Sequence, residues 1–178
     1  YEEARFEVPR GSDPCALPVD DLARIVVRIV REEGLIHQEE VVNRVRDLWG
    51  LRLGARLQEA TVTAVKAALD RRECLLEDGF LSCDASPVLL RNREDVVSAN
   101  LRKAAFLPPA EVRLAILEVV AAGHGIRTAE VPVVVARVLG FRMASAQIRA
   151  VIGRQCEKLV LDGGLVDAGG VLRRPEER

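Results

Sequence analysis

The sequence predicts a mainly helical α+β protein, a tandem repeat of two winged-helix-like domains, each made of three helices and a short β-hairpin. Three observations predict it: the chain resembles itself, the apolar residues recur at helical spacing, and a Gly-bearing turn joins two short apolar runs after each third helix. Residues 36–41 align with 126–131, and Trp49-Gly50-Leu51-Arg52 aligns with Leu139-Gly140-Phe141-Arg142. One inserted residue then shifts the register, after which Leu57 pairs with Ile148, Ala60 with Val151, Thr61 with Ile152, Val65 with Cys156, Ala68 with Leu159 and Leu81 with Leu172.

The first helix of each copy is expected over 20–32, with Leu22, Ile25, Val26, Ile29 and Val30 inward, and over 110–121, with Val112, Ala115, Ile116, Val119 and Val120. Gly34 ends the first of these and Gly123 or Gly125 the second. A second helix follows over 38–49 and 129–139, closed by Gly50 and Gly140, with Thr128 as the expected N-cap of the later one. The third helix is expected over 55–72 and 145–161. Its apolar stripe is Leu57, Ala64, Val65, Ala68 and Leu69 in one copy and Ile148, Val151, Ile152, Cys156, Leu159 and Val160 in the other.

The hairpins are expected at Cys74-Leu75-Leu76 with Phe80-Leu81-Ser82 around Glu77-Asp78-Gly79, and at Leu165-Val166 with Val171-Leu172 around 167–170. The expected boundaries are a leader over 1–19, domain one over 20–84, a structured linker over 85–108, domain two over 109–174 and a tail over 175–178. Within the linker, Val88-Leu89-Leu90 reads as a strand and 94–105 as an amphipathic helix using Val96, Val97, Leu101 and Ala104. Pro108-Pro109 then punctuates the entry to the second copy.

With 178 residues, 49% hydrophobic and 30% charged, the composition is that of a globular chain able to bury a core. No apolar run reaches the roughly 20 residues needed to span a bilayer, and no signal segment opens the chain, so a cytoplasmic protein is expected. The start at Tyr1 and the charged, Pro- and Gly-bearing stretch to Pro18 lead to the expectation of a piece of a larger polypeptide. Only three of the 26 basic residues are lysine, a bias that fits a GC-rich bacterial genome.

Four cysteines, Cys15, Cys74, Cys83 and Cys156, lie far apart in sequence with only His37 and His124 as companions, so reduced thiols are expected rather than a zinc site or a disulfide framework. No phosphate-cradling Gly-Lys loop, nucleophile elbow or metal-binding His/Glu motif occurs. No catalytic residue, cofactor, metal or small-molecule substrate is therefore expected. Glu39-Glu40 and Asp20-Asp21 sit where they favour the positive end of a helix dipole. His37 is placed to cap the second helix or to pack against the turn before it, and His124 lies in a Gly-flanked turn.

Charge is uneven along the chain. Residues 34–72 hold seven Arg or Lys against five Asp or Glu, and 125–161 hold six against two. The excess falls on the second and third helices, where a winged helix meets nucleic acid. On a helical wheel the outward face of the third helix presents Glu59, Val62, Thr63, Lys66 and Asp70 in one copy and Ala150, Gly153, Arg154, Glu157 and Leu161 in the other. One cation per face is thin for reading bases. Arg52, Arg56, Arg142 and Arg149 are better placed for phosphate, and with Lys66 and Arg154 they form the expected nucleic-acid-binding set. The acidic wing tips Glu77-Asp78 and Asp167 work against it. Val133 and Ala136 are expected on the outer side of their helix, at a contact with the other copy or the parent chain.

Carried on 30–37 (VREEGLIH), 50–57 (GLRLGARL), 78–81 (DGFL) and 139–142 (LGFR) with Ile148, a resemblance emerges that covers nearly the whole chain. The sequence resembles an uncharacterised bacterial domain family found near the C-terminus of large superfamily 1 helicase-like proteins, often beside a Vsr-like endonuclease module. Leu35 stands where that pattern has proline, and Met143-Ala144-Ser145 replaces an Arg-Thr-Gly-like stretch. The resemblance implies a role accessory to DNA processing and supplies no catalytic residues. The expected function is thus a non-catalytic, sequence-nonspecific DNA-binding module, with duplex or junction DNA and the parent protein's domains as partners. The alternative is a scaffold for protein interaction or dimerisation.

Overall fold

A computed structural model of the chain describes residues 1–9, 11–83 and 87–175. The fold is mixed α+β and mostly helical, with six α-helices and two three-stranded sheets among these residues. Two compact units divide the chain, Glu2–Pro87 and Val88–Arg178, the latter grouped with Tyr1. The expected boundary at Asp84, the linker residues Ala85 and Ser86, and tail residues 176–178 lie outside the described residues.

In the amino-terminal unit the order is α1 (Val19–Glu33), β1 (Ile36–His37), α2 (Gln38–Leu48), α3 (Ala55–Asp70), β2 (Leu75–Glu77) and β3 (Phe80–Ser82). Val26, Ile29 and Val30 of α1, Val41 and Val45 of α2, and Leu57, Ala64 and Ala68 of α3 share one core with Leu81. These are positions three, four and seven apart, so each helix buries one stripe. Thr61 would leave a hydroxyl unsatisfied in this core, but its Oγ1 donates to the Leu57 carbonyl at 2.8 Å. His37 caps α2 as expected: Nδ1 accepts from the Glu39 amide at 3.3 Å, while the ring meets Phe80 edge-on at 5.2 Å.

The carboxy-terminal unit has the same order: α4 (Pro109–Ala122), β4 (Ile126–Arg127), α5 (Val131–Val138), α6 (Ala146–Leu161), β5 (Val166–Asp167) and β6 (Val171–Arg173). Its core joins Val112, Ile116 and Val120 to Val131, Val135 and Leu139, to Ile148, Ile152, Cys156 and Leu159, and to Leu165 and Leu172. Both sheets are antiparallel, in the orders β1-β3-β2 and β4-β6-β5. The two-residue strands β1 and β4 were not expected. They form because Ile36 and Ile126 sit opposite Leu81 and Leu172, each isoleucine joining the hairpin's central strand to the core.

Several expectations are corrected. Helix α5 begins at Val131 rather than Ala129, with Glu130 at its N-cap; Thr128 sits in the preceding turn, its amide donating to the Gly170 carbonyl at 2.9 Å. Val131, Val135 and Leu139, four apart, face inward together with Ala136, three before Leu139, so Ala136 is core, not surface. Val133 is half-buried. No strand forms at Val88-Leu89-Leu90, where Val88 and Leu89 are exposed. In place of a helix over 94–105 stand two 3₁₀ turns, Ala99–Arg102 and Ala104–Phe106, parted by an extended Lys103. Local acceptors compete with the helix there: Asn92 Oδ1 takes the Glu94 amide and the Val96 carbonyl takes Arg102. Val96, Leu101 and Ala104 are still buried, whereas Val97 is exposed.

Two buried ion clusters brace the units. Arg44 pairs with Glu33 and Glu40, all three side chains at most 1% exposed. Glu111 accepts from the Arg91 amide at 2.9 Å, from Arg91 Nη2 at 2.7 Å, and from Arg93 Nη1 and Nη2 at 2.8 and 2.7 Å. Of the cysteines, Cys74, Cys83 and Cys156 are buried and Cys15 half-buried, all as free thiols. Although nine residues apart, Cys74 and Cys83 meet at 3.6 Å. No helix among the described residues is long and apolar enough to cross a membrane.

Candidate nucleic-acid interface

In each unit the turn between second and third helix carries cations to the start of the third helix. In the amino-terminal unit Arg52 lies on an exposed loop and Arg56 in the first turn of α3, its side chain 82% exposed and 4.0 Å from Asp13 Oδ2. Lys66 is exposed farther along α3, on a face shared with the exposed Glu59, Val62, Thr63 and Asp70. Arg46, at the end of α2, is held by Asp47 Oδ1 at 2.6 Å and Asn43 Oδ1 at 3.3 Å. Of these cations Arg46 is paired with an acidic neighbour and Arg56 stands at the edge of ion-pair distance from one.

The carboxy-terminal unit differs. A cleft of about 210 Å³ opens where α5 turns into α6, with apolar walls of Val133, Phe141, Met143 and Ala144 and with Arg137, Arg142 and Arg149 around it. All three arginines are exposed. Arg149 is steadied by its Nε donating to the Ala144 carbonyl at 2.9 Å, which leaves the terminal guanidinium nitrogens outward. Among the described residues no carboxylate lies within ion-pair distance of Arg137, Arg142, Arg149 or Arg154.

The local backbone adds to the positive field. Ser145 caps α6 by accepting the Ile148 amide at 3.3 Å, and the first turn of α6 has no acidic residue. Its remaining free amides and the helix dipole point the same way as the arginines. At the wing tip Asp167 Oδ1 accepts the Gly170 amide at 2.7 Å, which fixes the carboxylate in its own turn while its negative charge remains and works against phosphate there.

The structure thus gathers Arg142 and Arg149 of the expected set and adds Arg137, which the sequence reading passed over. Arg154 lies beyond them on α6. Arg52, Arg56 and Lys66 belong to the other unit. The signal that could have found Arg137 was its position in the last turn of α5, next to a turn already holding Arg142. Glu40 and Arg44 were legible as an i,i+4 pair, but the depth of their burial was not.

Over residues 13–59 the chain is similar to a family described as "Protein of unknown function (DUF3320)". That stretch holds α1, β1, α2 and the first turn of α3, and it includes two of the four motifs that carried the resemblance; the carboxy-terminal unit lies outside it. No curated protein and no solved structure matches the chain.

Proposed function

We propose that each unit is a winged helix and that the chain is a non-catalytic accessory module that holds nucleic acid by its phosphates. On this reading it acts in the cytoplasm within a larger helicase- or nuclease-type protein, on duplex or junction DNA. The element order α-β-α-α-β-β in each unit, with the third strand central, supports the winged-helix reading.

The observation that carries the binding reading is the Arg137, Arg142, Arg149 cluster, three exposed guanidiniums without a carboxylate partner beside the start of α6. Exposed charge of one sign, held on a rigid turn, is what phosphate contact requires; base reading needs side chains on the outer helix face. That face of α6 offers Ala150, Gly153, Arg154, Glu157 and Leu161, so affinity without sequence preference follows. The amino-terminal unit contributes less because Arg46 and Arg56 already have acidic neighbours.

Fluorescence anisotropy of the chain with duplex, forked and single-stranded DNA across a salt series tests this. Phosphate binding makes log K fall linearly with log salt, with a slope of about 0.9 per phosphate neutralised. The triple variant Arg137→Glu, Arg142→Glu, Arg149→Glu should abolish binding at unchanged far-UV dichroism. Absence of binding by the wild type at low salt refutes the proposal.

A second reading, a protein-docking scaffold, is favoured by the open groove of about 480 Å³ bounded by Pro132, Cys156, Val160 and Leu161, in which Leu161 is 85% exposed. It predicts that Leu161→Glu disturbs assembly with the parent protein and leaves DNA affinity unaltered.

A further inference from the structure

Two thiols meet at the base of the β2–β3 hairpin. The ladder pairs Glu77 with Phe80, Leu76 with Leu81 and Leu75 with Ser82 around the two-residue turn Asp78-Gly79. One more step along this register sets Cys74 opposite Cys83. In a hairpin closed by a two-residue turn the flanking residues form a hydrogen-bonded pair and the pairs then alternate, so the 74–83 position is of the non-hydrogen-bonded kind. Such pairs have Cα atoms about 4.5 Å apart, inside the roughly 4.4–6.8 Å window a disulfide spans.

The side chains already use that proximity. The sulfurs are 3.6 Å apart, Cys83 Sγ also reaches toward the Val27 carbonyl of α1 at 3.9 Å, and the two residues are 2% and 7% exposed. To bond, the sulfurs must close from 3.6 Å to about 2.0 Å.

We propose that Cys74 and Cys83 are an oxidation site at which a peroxide-class oxidant closes a reversible disulfide across the base of this hairpin. Cys83, the less buried, reacts first: its sulfur attacks one peroxide oxygen, the O–O bond breaks, and a sulfenic acid forms while hydroxide leaves and is protonated to water. Cys74 sulfur then attacks Cys83 sulfur, the S–OH bond breaks, and the hydroxyl departs as a second water with the Cys74 proton. Two thiols lose two electrons and two protons, and one peroxide becomes two waters.

Burial, and then the hydrogen bond with Cys83, push the Cys74 thiol up to about 12, so little of it is thiolate at neutral pH and its attack on the Cys83 sulfur is slow. The pace is accordingly slow, set by opening of the hairpin. Once made, the bond ties β2 to β3 and fixes where Cys83 leaves the sheet. A thiol reductant reverses it.

The test is to incubate the whole chain with hydrogen peroxide over hours, unfold it in acid, alkylate, and map peptides by mass. All four cysteines alkylate before treatment; afterwards Cys15 and Cys156 should still do so, while a peptide linked through Cys74 and Cys83 appears. The thermal midpoint of the amino-terminal unit should rise by about 5–15 °C and return with dithiothreitol. Cys74→Ser and Cys83→Ser should each abolish both effects; should either variant fail to fold, the peptide map of the wild type decides alone. Four alkylatable thiols after full equilibration, or a bond that involves Cys15 or Cys156 instead, overturns the proposal.

Discussion

Gly50 and Gly140 occupy matching places in the two units, each just after the second helix, and the structure says that replacing them with alanine has unequal cost. Both have positive φ, +62° and +87°. For an L-residue that conformation costs roughly 1–2 kcal/mol, offset in part by about 0.4–1 kcal/mol from the stiffer unfolded chain. At Gly50 nothing else intervenes, since no atom lies within 4 Å of where a Cβ would stand. Gly50→Ala should therefore cost about 1 kcal/mol.

At Gly140 the same Cβ would lie 2.4 Å from the Arg93 amide nitrogen, 2.4 Å from Asn92 Oδ1 and 2.6 Å from the Glu94 amide nitrogen. None of these can step aside freely. The Arg93 amide donates to the Leu139 carbonyl at 3.0 Å, Asn92 Oδ1 accepts the Glu94 amide at 2.8 Å, and Arg93 is anchored on Glu111. Relief means breaking a buried backbone hydrogen bond, roughly 1–3 kcal/mol, and displacing packed atoms, roughly another 1–3 kcal/mol. The expected cost of Gly140→Ala is about 3–6 kcal/mol. Urea unfolding followed by far-UV dichroism, with hydrogen exchange at the Arg93 amide, measures it. Equal costs at the two positions would refute the argument from close approach.

Other outcomes follow from single contacts. Glu111→Gln leaves the buried Arg93 and the half-buried Arg91 without their counter-charge and should cost about 3–5 kcal/mol by chemical denaturation. Burial pushes the Glu111 carboxyl up, yet Arg93 and Arg91 outweigh it and hold the group below the usual carboxylate range. A depressed folded-state pKa means this stabilisation is fully present above about pH 4.3, the unfolded value, and drains away as pH falls through the lower folded value. The wild-type urea midpoint should drop across that acid limb and the Glu111→Gln midpoint should follow it less steeply. Ser145→Ala removes the α6 cap and should cost about 1 kcal/mol, with Ser145→Asp keeping most of it. If the unpaired arginines meet phosphate one to one, Arg142→Ala and Arg149→Ala should each lower the salt slope of DNA binding by about 0.9, and an unchanged slope counts against their contact.

Amino-acid order by itself determined the six helices, the two hairpins and most of the core, because helical spacing and turn residues are local properties: Leu22, Val26 and Ile29, or Ile148, Ile152 and Leu159, can bury one face only in a helix. It placed His37 at the start of α2, as its cap or against the turn, and the fold showed the cap. What only the tertiary structure decided depends on neighbours distant in sequence. Strands β1 and β4 exist because Ile36 and Ile126 meet the hairpins, and the segment after Pro87 coils into 3₁₀ turns because its backbone finds side-chain partners. Arg137, Arg142 and Arg149 line one cleft and Arg56 comes within 4.0 Å of Asp13, because neighbours in space are placed by folding and not by composition. The contact of Cys74 with Cys83 likewise needed the register of a ladder, which a list of cysteine positions does not contain.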